Sequence, residues 1–206
     1  MFMVKEGLPF VIMPLAGAAA VFILCNGILG AVFGSLLFII ALFCAFFFRD
    51  PKINITEGES LVISPCNGTI MEIKEDKNEK VIRVFLSIFN VHLQRAPVSG
   101  VVRGVEHRKG SFLMAMHPEA FLLNEQNIIT IENERGIFIV RQIAGFLARR
   151  CVAWVKTGDV LVKGGKIGLI KFSSQVDLHL PVNAEICVKK GEKVKAGVSI
   201  CARFGE

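Results

Sequence analysis

The feature that most constrains this chain is a long stretch without charge. No Lys, Arg, Asp, Glu or His occurs from Gly7 to Phe48. One membrane-spanning helix needs about 20 apolar residues, so the stretch is long enough for two. Cys25-Asn26-Gly27 lies at its middle, and Asn-Gly is a turn signal. The pattern predicts a helical hairpin, Pro9 to Cys25 and Ile28 to Phe48. Gly17, Gly30, Gly34 and Ser35 would let its two arms approach closely. A secretory signal followed by an anchor is the competing reading. Lys5 fits the charged start of such a signal and Glu6 does not, and no clear small-x-small cleavage site separates the halves. A buried hairpin of a soluble protein fits less well, because both segments are apolar all round.

Lys5 precedes the stretch, Arg49 and Lys52 follow it, and the tip carries no charge. The positive-inside rule then puts both ends in the cytoplasm. The expected division is a membrane hairpin at 1–48 and a cytoplasmic domain at 49–206, held at the inner or plasma membrane. Lys5 and Glu6 are the only charges before Arg49, so the net charge of +6 belongs to the second part. Near an anionic leaflet, each surface Lys or Arg adds attraction of about 1 kcal/mol. Membrane lipids are therefore expected partners. No basic stripe or nucleic-acid motif appears, which argues against a nucleic-acid partner. Six cysteines are present, but none forms CxxC or a Cys/His cluster, so no metal site is expected. Their default role is that of small buried hydrophobes.

After Leu61 the sequence changes character. Short β-branched runs are separated by turn signals such as Asn67-Gly68, Ser99-Gly100, Arg135-Gly136, Gly164-Gly165 and Lys190-Gly191. One short helix is expected around Ala115 to Leu123. Lys156 to Gly168 faintly echoes Lys189 to Ile200, each reading turn, strand, turn, strand. Such half-repeats occur in biotinyl- and lipoyl-type folds. The predicted fold is mainly β, with barrel-sandwich-like strands and few short helices, behind the N-terminal membrane-associated α-hairpin. A lipoyl- or biotinyl-like carrier would also need a modifiable Lys at a hairpin tip, and none is visible.

Four histidines are candidates for chemistry. His92 lies where the apolar strand from Phe85 passes into a loop ending Pro97-Val98-Ser99-Gly100, a position where scaffolds present reactive groups. His107 sits among charges, His117 precedes Pro118 as a possible cap, and His179 falls between Leu178 and Leu180 on a strand face. Ser173-Ser174 lies between two apolar runs, which by itself reads as a turn. No Gly-x-Ser-x-Gly elbow, dinucleotide fingerprint or phosphate loop surrounds these residues.

Several segments, in order, resemble the short prokaryotic type of phosphatidylserine decarboxylase. They are Phe47-Phe48-Arg49-Asp50-Pro51, Ser64-Pro65-Cys66-Asn67-Gly68, and Phe85 to His92 followed by Arg95-Ala96-Pro97-Val98-Ser99-Gly100. Asn124-Glu125, Gln142-Ile143-Ala144-Gly145, Ala148-Arg149-Arg150 and Phe172 to Pro181 complete the set. The resemblance implies a self-processing lyase. Serinolysis at Ser173–Ser174 would convert Ser174 into a pyruvoyl cofactor. The products would be a β chain, 1–173, and an α chain, 174–206, held together as a heterodimer. The pyruvoyl ketone would form a Schiff base with phosphatidylserine and accept the electrons released as carbon dioxide leaves, giving phosphatidylethanolamine. His92 carries over as base or proton donor. Arg95, Arg149 and Arg150 are candidates for phosphate or carboxylate contacts. Asn67 stands where the family has Asp, Ser173 where it has Gly, and Gln175 where it has Arg. The alternative expectation is an unprocessed, non-catalytic, membrane-tethered homologue.

Overall fold

The computed structural model describes residues 2–114, 117, 119–145, 150–171 and 174–205; of Phe2 and Ser174 it describes the backbone alone. The described chain forms two compact units, Met1–Lys52 and Ile53–Glu206. In the first, strand β1 (Phe2–Met3) pairs with β2 (Arg49–Asp50), joining the two ends of a hairpin. Its arms are α1 (Leu8–Leu24) and α2 (Ile28–Phe47). Pro9 lies in the first turn of α1, where its missing N–H costs nothing. Gly27 turns the tip with φ +92°, a conformation that favours glycine. A Cβ on Gly34 would lie 2.5 Å from the Phe22 ring, so this glycine does let the arms approach. Arg49 Nη1 donates to Phe46 O at 2.7 Å, placing a cation at the C-terminal end of α2. Both arms are long and apolar enough to cross a membrane, and most of their large side chains are exposed.

The second unit is mainly β. Its strands are β3 (Leu61–Ile63), β4 (Gly68–Glu75), β5 (Lys80–Leu86), β6 (Leu93–Arg95), β7 (Gly100–Arg108), β8 (Gln126–Asn133) and β9 (Gly136–Ala144). They continue with β10 (Arg150–Ala153), β11 (Val160–Leu161), β12 (Lys166–Lys171), β13 (Ser174–Leu180), β14 (Glu185–Ile186), β15 (Lys193–Val194) and β16 (Ile200–Arg203). Eight strands form a curled antiparallel sheet ordered β11-β7-β8-β9-β13-β5-β4-β15. Two three-stranded sheets, β10-β12-β6 and β14-β16-β3, complete the unit. The core includes Val62, Ile82, Val84, Ile131, Phe138, Val140, Ile167, Leu178 and Cys201. Only one turn of the expected helix over 115–123 is helical, α3 (Ala120–Leu123); residues 115, 116 and 118 lie outside the described set.

The sequence echo has a structural counterpart. Gly158 and Gly191 occupy corresponding places with φ +95° and +87°, and so do Gly164 and Gly197 with φ +81° and +75°. Each half-repeat sends its first strand to one end of the large sheet, β11 at one end and β15 at the other. Each sends its second strand, β12 or β16, to the middle of a small sheet.

Candidate active site

Ser174 opens β13, near the centre of the large sheet. Its backbone pairs with Leu86 on one side and Ala144 on the other. The residue is thus the start of a strand rather than the turn that two adjacent serines suggest. Ser173 and Arg149 lie outside the described residues.

His92 immediately precedes β6, whose ladder with β12 sets Leu93 opposite Leu169. The Ile170 amide donates to the His92 carbonyl at 3.1 Å, so His92 lies beside the strand that runs toward Ser174. The side chain is fully buried. Its Nδ1 is 3.0 Å from the Asn90 carbonyl oxygen. A carbonyl can only accept, so Nδ1 carries the proton and a neutral ring keeps its lone pair on Nε2. The basic nitrogen of the neutral ring is then Nε2.

A row of buried amides links this segment to the large sheet. His107, Asn127, Gln142 and Val176 are successive cross-strand partners on β7, β8, β9 and β13. Along the row, His107 Nδ1 lies 2.8 Å from Asn127 Oδ1, and Asn127 Nδ2 donates to Gln142 Oε1 at 3.0 Å. Gln142 Nε2 then crosses to the small sheet and donates to Gln94 Oε1 at 2.7 Å. Gln94 Nε2 in turn donates to the His92 carbonyl at 2.7 Å. Gly168 keeps this crossing open, since a Cβ there would lie 2.3 Å from Val152 O and 2.5 Å from Gln142 Nε2. Gln142 pairs with Val176 while Ala144 pairs with Ser174, so the crossing stands two residues from Ser174 along β13. Nothing in the sequence assigned a role to Gln94, Gln142 or Asn127. No local pattern marked them, since a buried amide is told from an exposed one only by its partners.

Asn67 reaches the same region through its backbone. Ile63 N donates to Pro97 O at 3.0 Å and Arg95 N to Pro65 O at 2.8 Å, so the segment ending at Asn67 runs along β6. The Asn67 side chain is already engaged, with Oδ1 accepting from the Ala196 amide at 3.0 Å. Arg95 Nη1 donates to Gly164 O at 2.8 Å, tying it to a turn, and Arg150 is exposed at the start of β10. The structure therefore sets the Asn67 segment alongside the strand that His92 precedes, and gives Arg95 a backbone-bracing role. Three nearby thiols are inert. Burial raises the pKa of Cys66 and Cys151 well above the ordinary value and pushes Cys201 up to about 12. No group of three or more metal-ligating side chains occurs among the described residues.

The start of β13 suits a covalent carbonyl group derived from Ser174. Ladders on both flanks would keep the strand in place after a cut before it.

The family model described as phosphatidylserine decarboxylase matches residues 40–202. A phosphatidylserine decarboxylase proenzyme of Carboxydothermus hydrogenoformans is 41% identical over 179 residues, covering 83% of this chain and 84% of the relative. Proenzymes of the same name from Syntrophus aciditrophicus and Magnetococcus marinus are each 37% identical. The first match covers 98% of both chains, the second 97% of this chain and 94% of the relative. The chain belongs to the phosphatidylserine decarboxylase family.

Proposed function

We propose that this chain is a self-processing, pyruvoyl-dependent phosphatidylserine decarboxylase that matures by cleavage between Ser173 and Ser174. The observation that supports the reading is, in a family member, a buried His92 whose segment is tied through Gln94 and Gln142 to the sheet in which Ser174 opens a doubly paired strand. Ser174 Oγ attacks the Ser173 carbonyl carbon while His92 Nε2 takes the hydroxyl proton, and the amide becomes an ester. β-Elimination breaks the Cβ–O bond, leaving a carboxylate on residue 173 and a dehydroalanine at 174. Hydrolysis of the dehydroalanine releases ammonia and leaves the pyruvoyl ketone. The α chain, 174–206, stays with the β chain, 1–173, because β13 is hydrogen-bonded on both sides.

In the mature enzyme the pyruvoyl group supplies an electron sink for loss of carbon dioxide from the serine headgroup. His92, held by the Asn90 carbonyl and the Gln94–Gln142 crossing, delivers a proton to the product carbon and excludes water on its side. Arg149 and Arg150 are candidate headgroup anchors. The hairpin, 1–48, lies in the plasma or inner membrane, and the domain at 49–206 faces the cytoplasm, close to a lipid substrate.

Intact mass of the purified chain tests the reading. Two fragments divided at 173/174 are expected, with carbon dioxide release from phosphatidylserine vesicles. Ser174→Ala should abolish both. A single full-length species without decarboxylation favours the second reading, an unprocessed homologue, motivated by Asn67 and Ser173. Asn67→Asp separates the two readings. It retains an acceptor for the Ala196 amide and adds the charge that stabilises an imidazolium, so it should speed cleavage. No change in cleavage would remove residue 67 from the mechanism.

A further inference from the structure

The opposite face of the large sheet holds a feature that cleavage does not use. Gln175, Asp177 and His179 alternate along β13 with the core residues Val176, Leu178 and Leu180, and so point away from the core. Around them lies a cavity of about 590 Å³ whose lining includes Lys74, Glu79, Phe121, Arg141, His179 and Lys190.

Most of its charges are already matched. Arg83 Nε lies 3.2 Å from both Asp177 carboxylate oxygens, its Nη1 donates to Glu72 at 2.5 Å, and its guanidinium stacks over the Phe121 ring. Glu79 is shared by Lys74 Nζ at 3.1 Å and His179 Nδ1 at 2.8 Å.

Two groups in the cavity are not matched. Arg141 donates only to neutral oxygens, Gln126 Oε1 and Phe121 O, and forms no ion pair among the described residues. Burial lowers its pKa, and the pull of Asp177 and Glu79 does not offset that cost. His179 Nε2 is buried without a hydrogen-bond partner among the described residues. Because its Nδ1 faces a carboxylate that can only accept, neutral His179 presents a bare lone pair at Nε2. Arg141 is the cross-strand partner of Asp177, two residues from His179, and such diagonal neighbours stand about 7–8 Å apart.

A ligand that satisfies both groups must bring negative charge to Arg141 and a hydrogen to His179 Nε2. A carboxylate, a sulfate or a phosphodiester carries charge but no such hydrogen at neutral pH. The monoanion of a phosphate monoester or of inorganic phosphate has both, because it keeps a P–O–H; with a monoester second pKa of about 6, that form prevails in mildly acidic solution. We propose that this cavity is a second, non-catalytic site for a phosphate monoanion, bound by Arg141 and His179 with Lys190 at the rim. The occupant is either free phosphate or the terminal phosphate of a lipid monoester.

Calorimetry on the full chain in detergent tests the assignment. Inorganic phosphate should bind saturably and more tightly than sulfate at about pH 6, and its advantage should shrink as the pH rises and the monoanion is lost. The His92→Ala variant should bind it equally well, separating this cavity from the candidate active site. Arg141→Gln should weaken binding at least tenfold, and His179→Phe should abolish the preference for phosphate over sulfate. Lys190→Ala replaces an exposed side chain, so it keeps the test available should either buried variant fail to fold, and it should weaken binding several-fold. A short-chain phosphatidic acid that binds more tightly than inorganic phosphate assigns the lipid source; weaker binding assigns free phosphate. Absence of saturable phosphate binding overturns the proposal. So does equal affinity for sulfate, or binding lost with His92→Ala.

Discussion

The Gln94–Gln142 crossing offers a quantitative test, because the two amides are each other's buried partner. Met is close to Gln in volume and carries no strong hydrogen-bonding group. Gln142→Met leaves two buried polar atoms unpaired, Gln94 Oε1 and Asn127 Nδ2. At about 1–3 kcal/mol for each orphaned group, the loss centres near 4 kcal/mol. Gln94→Met leaves Gln142 Nε2 with only its long 3.4 Å bond to Val152 O, while the His92 carbonyl keeps the Ile170 amide, for a loss of up to about 2 kcal/mol. The double variant removes both facing amide atoms together and leaves only Asn127 Nδ2 unpaired. It should therefore be more stable than the sum of the single losses by at least about 2 kcal/mol, within the range seen for contacting pairs. The assay is urea unfolding of the Ser174→Ala chain in detergent, read by Trp154 fluorescence. Trp154 is the only tryptophan and its amide is hydrogen-bonded to Ile167 O in the β unit, so it reports on that unit. Losses that add to within about 0.5 kcal/mol would refute the coupling.

Three further outcomes follow from individual contacts. Asp177 is fully buried against Arg83, so Asp177→Asn should cost about 3 kcal/mol by the same unfolding assay, the scale for breaking a buried ion pair. Outside the hairpin, Cys187 is the exposed thiol while Cys66, Cys151 and Cys201 are buried, so a water-soluble thiol reagent should label Cys187 first, and in a Cys25→Ser background Cys187→Ser should remove the fast phase. Burial holds His179 below its ordinary value of 6.5. The unfolded chain then binds the proton more readily, so stability should fall as pH drops through 6.5, and His179→Phe should flatten that limb of a pH series of unfolding midpoints.

What the sequence made legible follows from the range of the interactions involved. The hairpin was readable to within a residue or two because its signals are local: an uncharged stretch, a turn at Asn26-Gly27 and charges just outside. Strands β3, β9 and β13 were readable because β-branched runs ended at turn residues. Strand β7 was missed because Gly104 and the charged residues from Glu106 to Arg108 dilute its apolar pattern. Its place is set by the ladder with β8, a non-local pairing. Strand β6 was missed because a three-residue strand of Leu, Gln and Arg has no period to detect.

The candidate site divides in the same way. His92 and Ser174 were found by resemblance, which reads chemistry directly. The amides that hold His92 were invisible, because a buried Gln differs from an exposed one only through its partners. Gln142 has three of them, on β8, β6 and β10. The cavity face shows the intermediate case. Alternation of Gln175, Asp177 and His179 with apolar residues announced a polar face on β13. Which of its charges would find partners depended on Arg83, Glu72 and Lys74 from neighbouring strands, so the exceptional position of Arg141 emerges only from the folded register. A local pattern can thus report which face a residue occupies, whereas the residual charge of that face is a property of the whole sheet.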